Sequence, residues 1–315
     1  MVMAASPTCQ IKQMDRHLLE WLRHKRNGEH IGVVHSVFDK VINFISNDKQ
    51  ILFSLAKDEV VQSPRMMKTS QDDSFSAMKV TLHRGDDIYF IGDDCLELNG
   101  WKWRFSDIAI WNRDIASLSQ TSSEISSAKL KVINDFILKN GAREGIFAAW
   151  KSYNDPSWEV PKATKKNIYF TPFLTGIKET EQEIKEQKLE AFMEKLVGLG
   201  IGLTPSGDDF LTGLLATWKH TEFPLYKEFA TSQMPTLQKL QGRTTDVSYF
   251  MLKHCLNGDV NEALLDLLGS VNAEPSHMSK LLAIGSTSGT DMLAGVSFAY
   301  QQLLNYEEEI QWHQK

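Results

Sequence analysis

Between residues 198 and 213 the chain reads Gly-Leu-Gly-Ile-Gly-Leu-Thr-Pro-Ser-Gly-Asp-Asp-Phe-Leu-Thr-Gly, with glycines at 198, 200, 202, 207 and 213. Few folds accommodate such a stretch. The first three glycines alternate with bulky apolar residues, so one side of the backbone is bare and open to close approach. After Pro205, Ser206-Gly207-Asp208-Asp209 reads as a helix start, where a Ser or Asp side chain can cap free amides and acidic residues suit the positive helix end. Phe210, Leu211, Leu214, Leu215 and Trp218 then mark one face of the following helix. A glycine-rich turn opening a helix is also a way to hold a small anion. Capping needs one Ser or Asp, whereas Thr204, Ser206, Asp208 and Asp209 crowd together here. No Lys-Ser/Thr follows the glycines, which excludes a Walker loop. A helix expected before them argues against a dinucleotide fingerprint.

A second, shorter copy follows. Ser206-Gly-Asp-Asp-Phe-Leu-Thr-Gly213 aligns with Ser288-Gly-Thr-Asp-Met-Leu-Ala-Gly295, sharing Ser-Gly-x-Asp-x-Leu-x-Gly. Gly213 and Gly295 each lie a turn or so into a helix and can permit a close crossing there. The physical picture is two helix N-termini, related by a pseudo-twofold, that point at one cleft. Between the copies lies Gly242-Arg-Thr-Thr-Asp-Val-Ser248, in which Thr244 or Thr245 can cap a helix over 247–256 and Arg243 stands just outside it. Arg243 is the one full positive charge within the three motifs, and its planar fork suits a phosphate or carboxylate. The competing structural reading is that both loops only cap helices that pack together.

Composition bounds the rest. A chain of 315 residues can form two domains, and 42% hydrophobic with 23% charged residues is an ordinary globular balance. A net charge of −6 without a basic tract argues against a nucleic-acid binder. No apolar run approaches the ~18 residues needed to cross a bilayer. With no charged-then-apolar N-terminal start and three scattered cysteines, neither a disulfide framework nor a zinc site is indicated. Together these features point to a cytoplasmic protein.

Residues 11–27 read as a short basic edge helix with Leu18, Leu19 and Leu22 as its apolar positions. Short β runs follow at 31–38, 41–45, 51–55, 77–82 and 88–91. Asn99-Gly100 between Leu96-Glu97-Leu98 and Trp101-Lys102-Trp103 is a strong hairpin signal. This spacing predicts a small β barrel or sandwich. Gln62-Ser-Pro-Arg65 is a turn whose arginine could reach a ligand. From Ser117 to Ser127 there are seven serines and threonines, so the boundary is placed at 120/121. The expected architecture is α+β, a β-rich domain over 1–120 followed by an α-helical domain over 121–315 that carries the loop motifs. Helices are expected at 128–140, 179–199 (with Leu189, Phe192, Met193 and Leu196 on one face), 261–268 and from Asp291 onward. Residues 154–166 read as an irregular loop, and His277 as a lone loop histidine.

The three motifs together, with Val34-His-Ser-Val-Phe38 and Ser63-Pro-Arg65 as weaker matches, resemble the AllH family. The resemblance covers most of residues 190–300. It implies a subunit of a bacterial oxamate carbamoyltransferase, active in allantoin and purine breakdown beside partner subunits. The implied reaction moves a carbamoyl group reversibly between phosphate and the amide of oxamate, giving oxalurate. Its ligands, carbamoyl phosphate, phosphate and oxamate or oxalurate, are small anions. On this reading Asp209, Arg243 and Asp291 are the catalytic candidates, with Asp209 the leading base. Gly200, Gly202, Thr204, Ser206, Gly207, Asp208, Thr244, Thr245, Ser248, Ser286, Thr287, Ser288 and Gly289 line the ligand. No cofactor is required. Two other readings stay open: a non-catalytic metabolite-binding or regulatory subunit, and phosphoryl chemistry with Mg²⁺ among Asp208, Asp209 and Asp291.

Overall fold

A computed structural model describes residues 7–69, 74–119, 123–186 and 192–313. The chain divides into two compact units, Met1–Arg113 and Asp114–Lys315.

The first unit contains β1 (Thr8–Asp15), α1 (Arg16–Arg23), β2 (Glu29–Val37), β3 (Val41–Ser46), β4 (Leu52–Ala56), β5 (Met66–Thr69), α2 (Ser74–Lys79), β6 (Asp87–Phe90), β7 (Cys95–Leu98), β8 (Trp101–Arg104) and β9 (Ala109–Trp111). The strands pair in the order β5-β4-β3-β2-β6-β7-β8-β1, and β1 returns to β5. This closes an eight-stranded barrel and removes free sheet edges. β9 continues β8 along the same side of β1, both parallel to it. Phe44, Phe53 and Trp103 fill the interior, with Phe44 stacked on Phe53 at 5.1 Å. Asn99 and Gly100 turn the β7–β8 hairpin with φ of 48° and 81°, the two positive values of a type I′ turn.

Three local expectations change in this unit. Residues 11–15 are strand rather than helix, because Ile11 and Met14 fill the barrel. The helix starts only after Asp15, whose carboxylate accepts from the Leu18 amide at 2.9 Å. Far from an edge, Leu18, Leu19 and Leu22 of α1 are core residues. Residues 77–82 are not a strand. Phe75, Met78 and Leu82 recur at helical spacing and are buried on or just after α2, and a short apolar run does not distinguish the two by itself. Arg65, in its turn at φ 59°, is committed to Asp15 at 3.4 Å.

The second unit contains α3 (Ser123–Asn140), α4 (Phe147–Asn154), α5 (Lys162–Lys165), α6 (Phe170–Lys185), α7 (Phe192–Leu196), α8 (Ser206–His220), α9 (Tyr226–Leu240), α10 (Asp246–Asn257), α11 (Glu262–Gly269), α12 (Pro275–Leu282) and α13 (Ser288–His313). The expected helix over 179–199 is two elements, α6 and α7, and Leu189 lies outside the described residues. The stretch 154–166 holds the short α5, and residues 275–280 belong to α12, with Pro275 in the first turn where its missing amide costs nothing. His277 is therefore helical. The last helix begins at Ser288, a turn earlier than Asp291.

α8 is the centre of this unit. Every residue of it except Lys219 is buried, so the helix is enclosed all round rather than along one face. It crosses α13 through two glycines. A Cβ on Gly213 would stand 1.9 Å from the Met292 carbonyl oxygen, and one on Gly295 would stand 2.0 Å from that of Phe210. Met292 occupies in the second copy the place Phe210 has in the first, so the contact is reciprocal. The repeat in the sequence is a pseudo-twofold in the backbone.

A buried acid cluster at two helix starts

The repeat extends from the crossing into the loops. Gly207 packs its bare Cα against the Leu196 and Leu199 carbonyls, and Gly289 packs against Leu281. In both copies the glycine of the helix start is thus packed on a leucine carbonyl. Gly200, at φ 123°, lies where a Cβ would meet the Ser206 amide at 2.7 Å. Gly202, at φ 95°, is exposed with open space around it. The loops are joined directly, Thr204 Oγ1 to Ser288 Oγ at 2.8 Å.

No Ser or Asp side chain caps α8, whose N-cap is Pro205. Asp208 reaches outward instead. It accepts from the Gly198 amide at 2.8 Å and from the Thr244 hydroxyl at 2.5 Å. Thr245 caps α10 by accepting from the Ser248 amide at 3.1 Å, and its hydroxyl donates to the Leu203 carbonyl. Ser248 is buried behind Asp208, close enough to favour its anion. The middle motif thus clamps the first loop. The second copy has Thr290 at the position of Asp208, and the Thr290 hydroxyl accepts from the Ala142 amide at 3.0 Å.

Asp209 and Asp291 are the equivalent pair, and both are fully buried. The serine of each helix start faces the aspartate of the other: Ser288 faces Asp209 and Ser206 faces Asp291. Asp291 Oδ1 accepts from the Ile146 amide at 2.8 Å, while its Oδ2 has no partner. Among the described residues neither oxygen of Asp209 completes a hydrogen bond. Ser288 and Thr204 are near enough to favour its anion, yet they bond each other. Burial drives the Asp209 carboxyl well above its ordinary range, and the Asp291 charge adds to this. Burial also raises Asp291 to about 6, against the Ile146 amide and the Ser206 and Thr287 hydroxyls. Asp208 is raised by burial too, although its hydrogen bonds oppose the shift.

Thr204, Ser206, Asp209, Thr287, Ser288 and Asp291 therefore meet in one place. Gly202 and Ser286 lie exposed on the loops. Arg243 is exposed at the end of a 3-10 turn, and it touches the cluster's surroundings through its carbonyl, packed on Gly198. The helix-start amides are largely engaged: Gly207 N donates to Leu199 O, Asp208 N and Asp209 N to Pro205 O, and Gly289 N to Ile284 O. The site is acidic more than it is an amide nest. Among the described residues no group of three or more His, Cys, Asp and Glu is arranged to hold a metal ion, and both oxygens of Asp208 are already engaged.

The sequence reading passed over one segment, Gly141-Ala-Arg-Glu-Gly-Ile146. It wraps the second helix start through the Ala142 and Ile146 amides. Gly145, at φ 62°, is required there, because a Cβ would stand 2.5 Å from Asp291 Oδ1. Its one visible signal is an arginine shortly after a glycine, as at Gly242-Arg243.

A closed barrel followed by helices built on a duplicated helix start defines an α+β protein whose buried acids come from an internal repeat. Two family models match this chain: the oxamate carbamoyltransferase subunit AllH over residues 196–300 and the AllH family N-terminal domain over residues 9–110. The chain belongs to the AllH family. No solved structure matches it. Among the described residues no helix is long and apolar enough to cross a membrane.

Proposed function

We propose that this chain carries the carbamoyl-transfer centre of an oxamate carbamoyltransferase and works in a hetero-oligomer with the enzyme's other subunits. The observation that carries the reading is Asp209, a fully buried carboxyl with neither oxygen hydrogen-bonded, between two loops rich in hydroxyls. Such a group is costly unless it has a task.

The amide nitrogen of oxamate attacks the carbamoyl carbon of carbamoyl phosphate. The C–N bond forms, the bond between the carbamoyl carbon and the bridging phosphate oxygen breaks, and phosphate leaves with the electron pair. The amide proton passes to the Asp209 carboxylate. In the reverse direction a phosphate oxygen attacks oxalurate, and protonated Asp209 returns the proton to the departing nitrogen. A carboxyl raised by burial suits both roles near neutral pH. The hydroxyls of Thr204, Ser206 and Ser288 are the donors at hand for the carbamoyl oxygen, and Arg243 supplies positive charge for the phosphate.

The test is Asp209→Asn, assembled with the partner subunits and assayed in both directions. We expect kcat to fall by roughly 100-fold or more, the acidic limb of the pH–rate profile to disappear, and thermal stability to hold or rise. Wild-type turnover in the variant would overturn the assignment.

A further inference from the structure

Beside the second helix start lies a cleft of about 230 Å³, lined by Arg143, Glu144, Gly145, Thr164, Asn167 and Phe170 among others. It is smaller than the ~300 Å³ at which sites for drug-sized ligands begin, which leaves room for a few heavy atoms. Arg143 is its cation. One guanidinium nitrogen donates to the Leu138 carbonyl at 2.8 Å, and the group lies over the Phe147 ring at 4.5 Å. These contacts fix its direction, and it has no carboxylate partner among the described residues. Gly145 forms the wall between cleft and cluster. The Asp291 carboxylate stands where a Cβ of residue 145 would be, and its Oδ2 is buried and unpartnered.

Arg143 has a counterpart in Arg243 at the other helix start. Each arginine lies in a segment that clamps the residue two after the repeat's serine, Thr290 through the Ala142 amide and Asp208 through the Thr244 hydroxyl. Two anions must meet in a carbamoyl transfer, and two clamps each offer one cation.

We infer that the Arg143 cleft is the acceptor half-site, in which the guanidinium takes the carboxylate of a short, planar acceptor anion and Thr164 and Asn167 offer further polar contacts. This rests on the reading of Asp209 as the proton carrier. With the carboxylate held at Arg143, the acceptor's amide end is directed at Gly145, on whose far side stands the Asp291 carboxylate. Bidentate geometry favours arginine over lysine there.

The experiment is calorimetric titration of the assembled enzyme with oxamate and, separately, with carbamoyl phosphate. Arg143→Ala should weaken oxamate binding roughly 10- to 100-fold, the range for a hydrogen-bonded charge, and leave carbamoyl phosphate binding within a factor of about two. Arg143→Lys should recover part of the loss. Ala148 also lines the cleft, and Ala148→Leu, which fills it without touching charge, should reproduce the loss for oxamate. Unchanged oxamate affinity in Arg143→Ala, or an equal loss for both ligands, overturns the half-site. Asp209→Asn separates the two readings: if it turns over normally the proton-carrier reading falls, while the oxamate titrations still decide the cleft.

Discussion

Asp291 connects the site to folding. Burial raises it from an ordinary 3.8 to about 6. Between those values the folded protein holds a proton that the unfolded chain has released, so stability falls as pH rises through this window. The shift corresponds to about 3 kcal/mol, fully lost above pH ~7. Asp291→Asn removes the titration but keeps an oxygen for the Ile146 amide. Its melting temperature should therefore match wild type near pH 4 and exceed it at pH 8. Thermal unfolding across pH 4–8 checks this, and parallel curves for the two proteins would show that Asp291 does not carry the linkage. The same residue shows what was legible at this scale. The repeated Asp was evident from Ser-Gly-x-Asp. Its partner at Ile146 was not, since a backbone amide leaves no mark in the sequence.

The α8–α13 crossing is the element on which the site depends. Gly213→Ala sets a methyl 1.9 Å from a backbone oxygen, and Gly295→Ala does so at 2.0 Å. Neither neighbour is a side chain that can turn away, so the helices must part. Each change should cost about 3 kcal/mol or more, the upper end of overpacking. The double variant should cost less than the sum, because one separation relieves both. Gly242→Ala, with nothing within 4 Å, is the control. Urea denaturation of the four proteins reads this directly, and full additivity would mean that the glycines act independently. Glycines at equal offsets in two copies made the crossing readable in advance. Of the elements that escaped, β5, β9, α4 and α12 have too few residues to show a period, whereas α9 is fifteen residues long and carries Pro235 inside it, which reads against a helix. α2 was misread because it too is short.

The whole molecule is two units with separate cores. The barrel closes through β1–β5, and its core cluster lies within residues 9–105. Residues 1–113 and 114–315, produced separately, should each unfold in one cooperative transition, the first with a β-type circular dichroism spectrum and the second helical. Non-cooperative melting of either piece would make the division one of contacts only. A barrel or sandwich was expected from hairpin spacing. Its closure could not be read in advance, because β1, the strand that closes it, looked like part of a helix.

A chain that crosses two copies of one helix start through reciprocal glycines is, at its centre, a homodimer held in a single polypeptide. In a true homodimer the two central aspartates would be indistinguishable. They would share a proton with no preference, and the two sides of the cluster would be alike. Here the copies have diverged. One has Asp208 where the other has Thr290, and only Asp291 receives the Ile146 amide. That broken symmetry localises the proton toward Asp209. It also gives the cluster a left and a right, which a perfect twofold lacks.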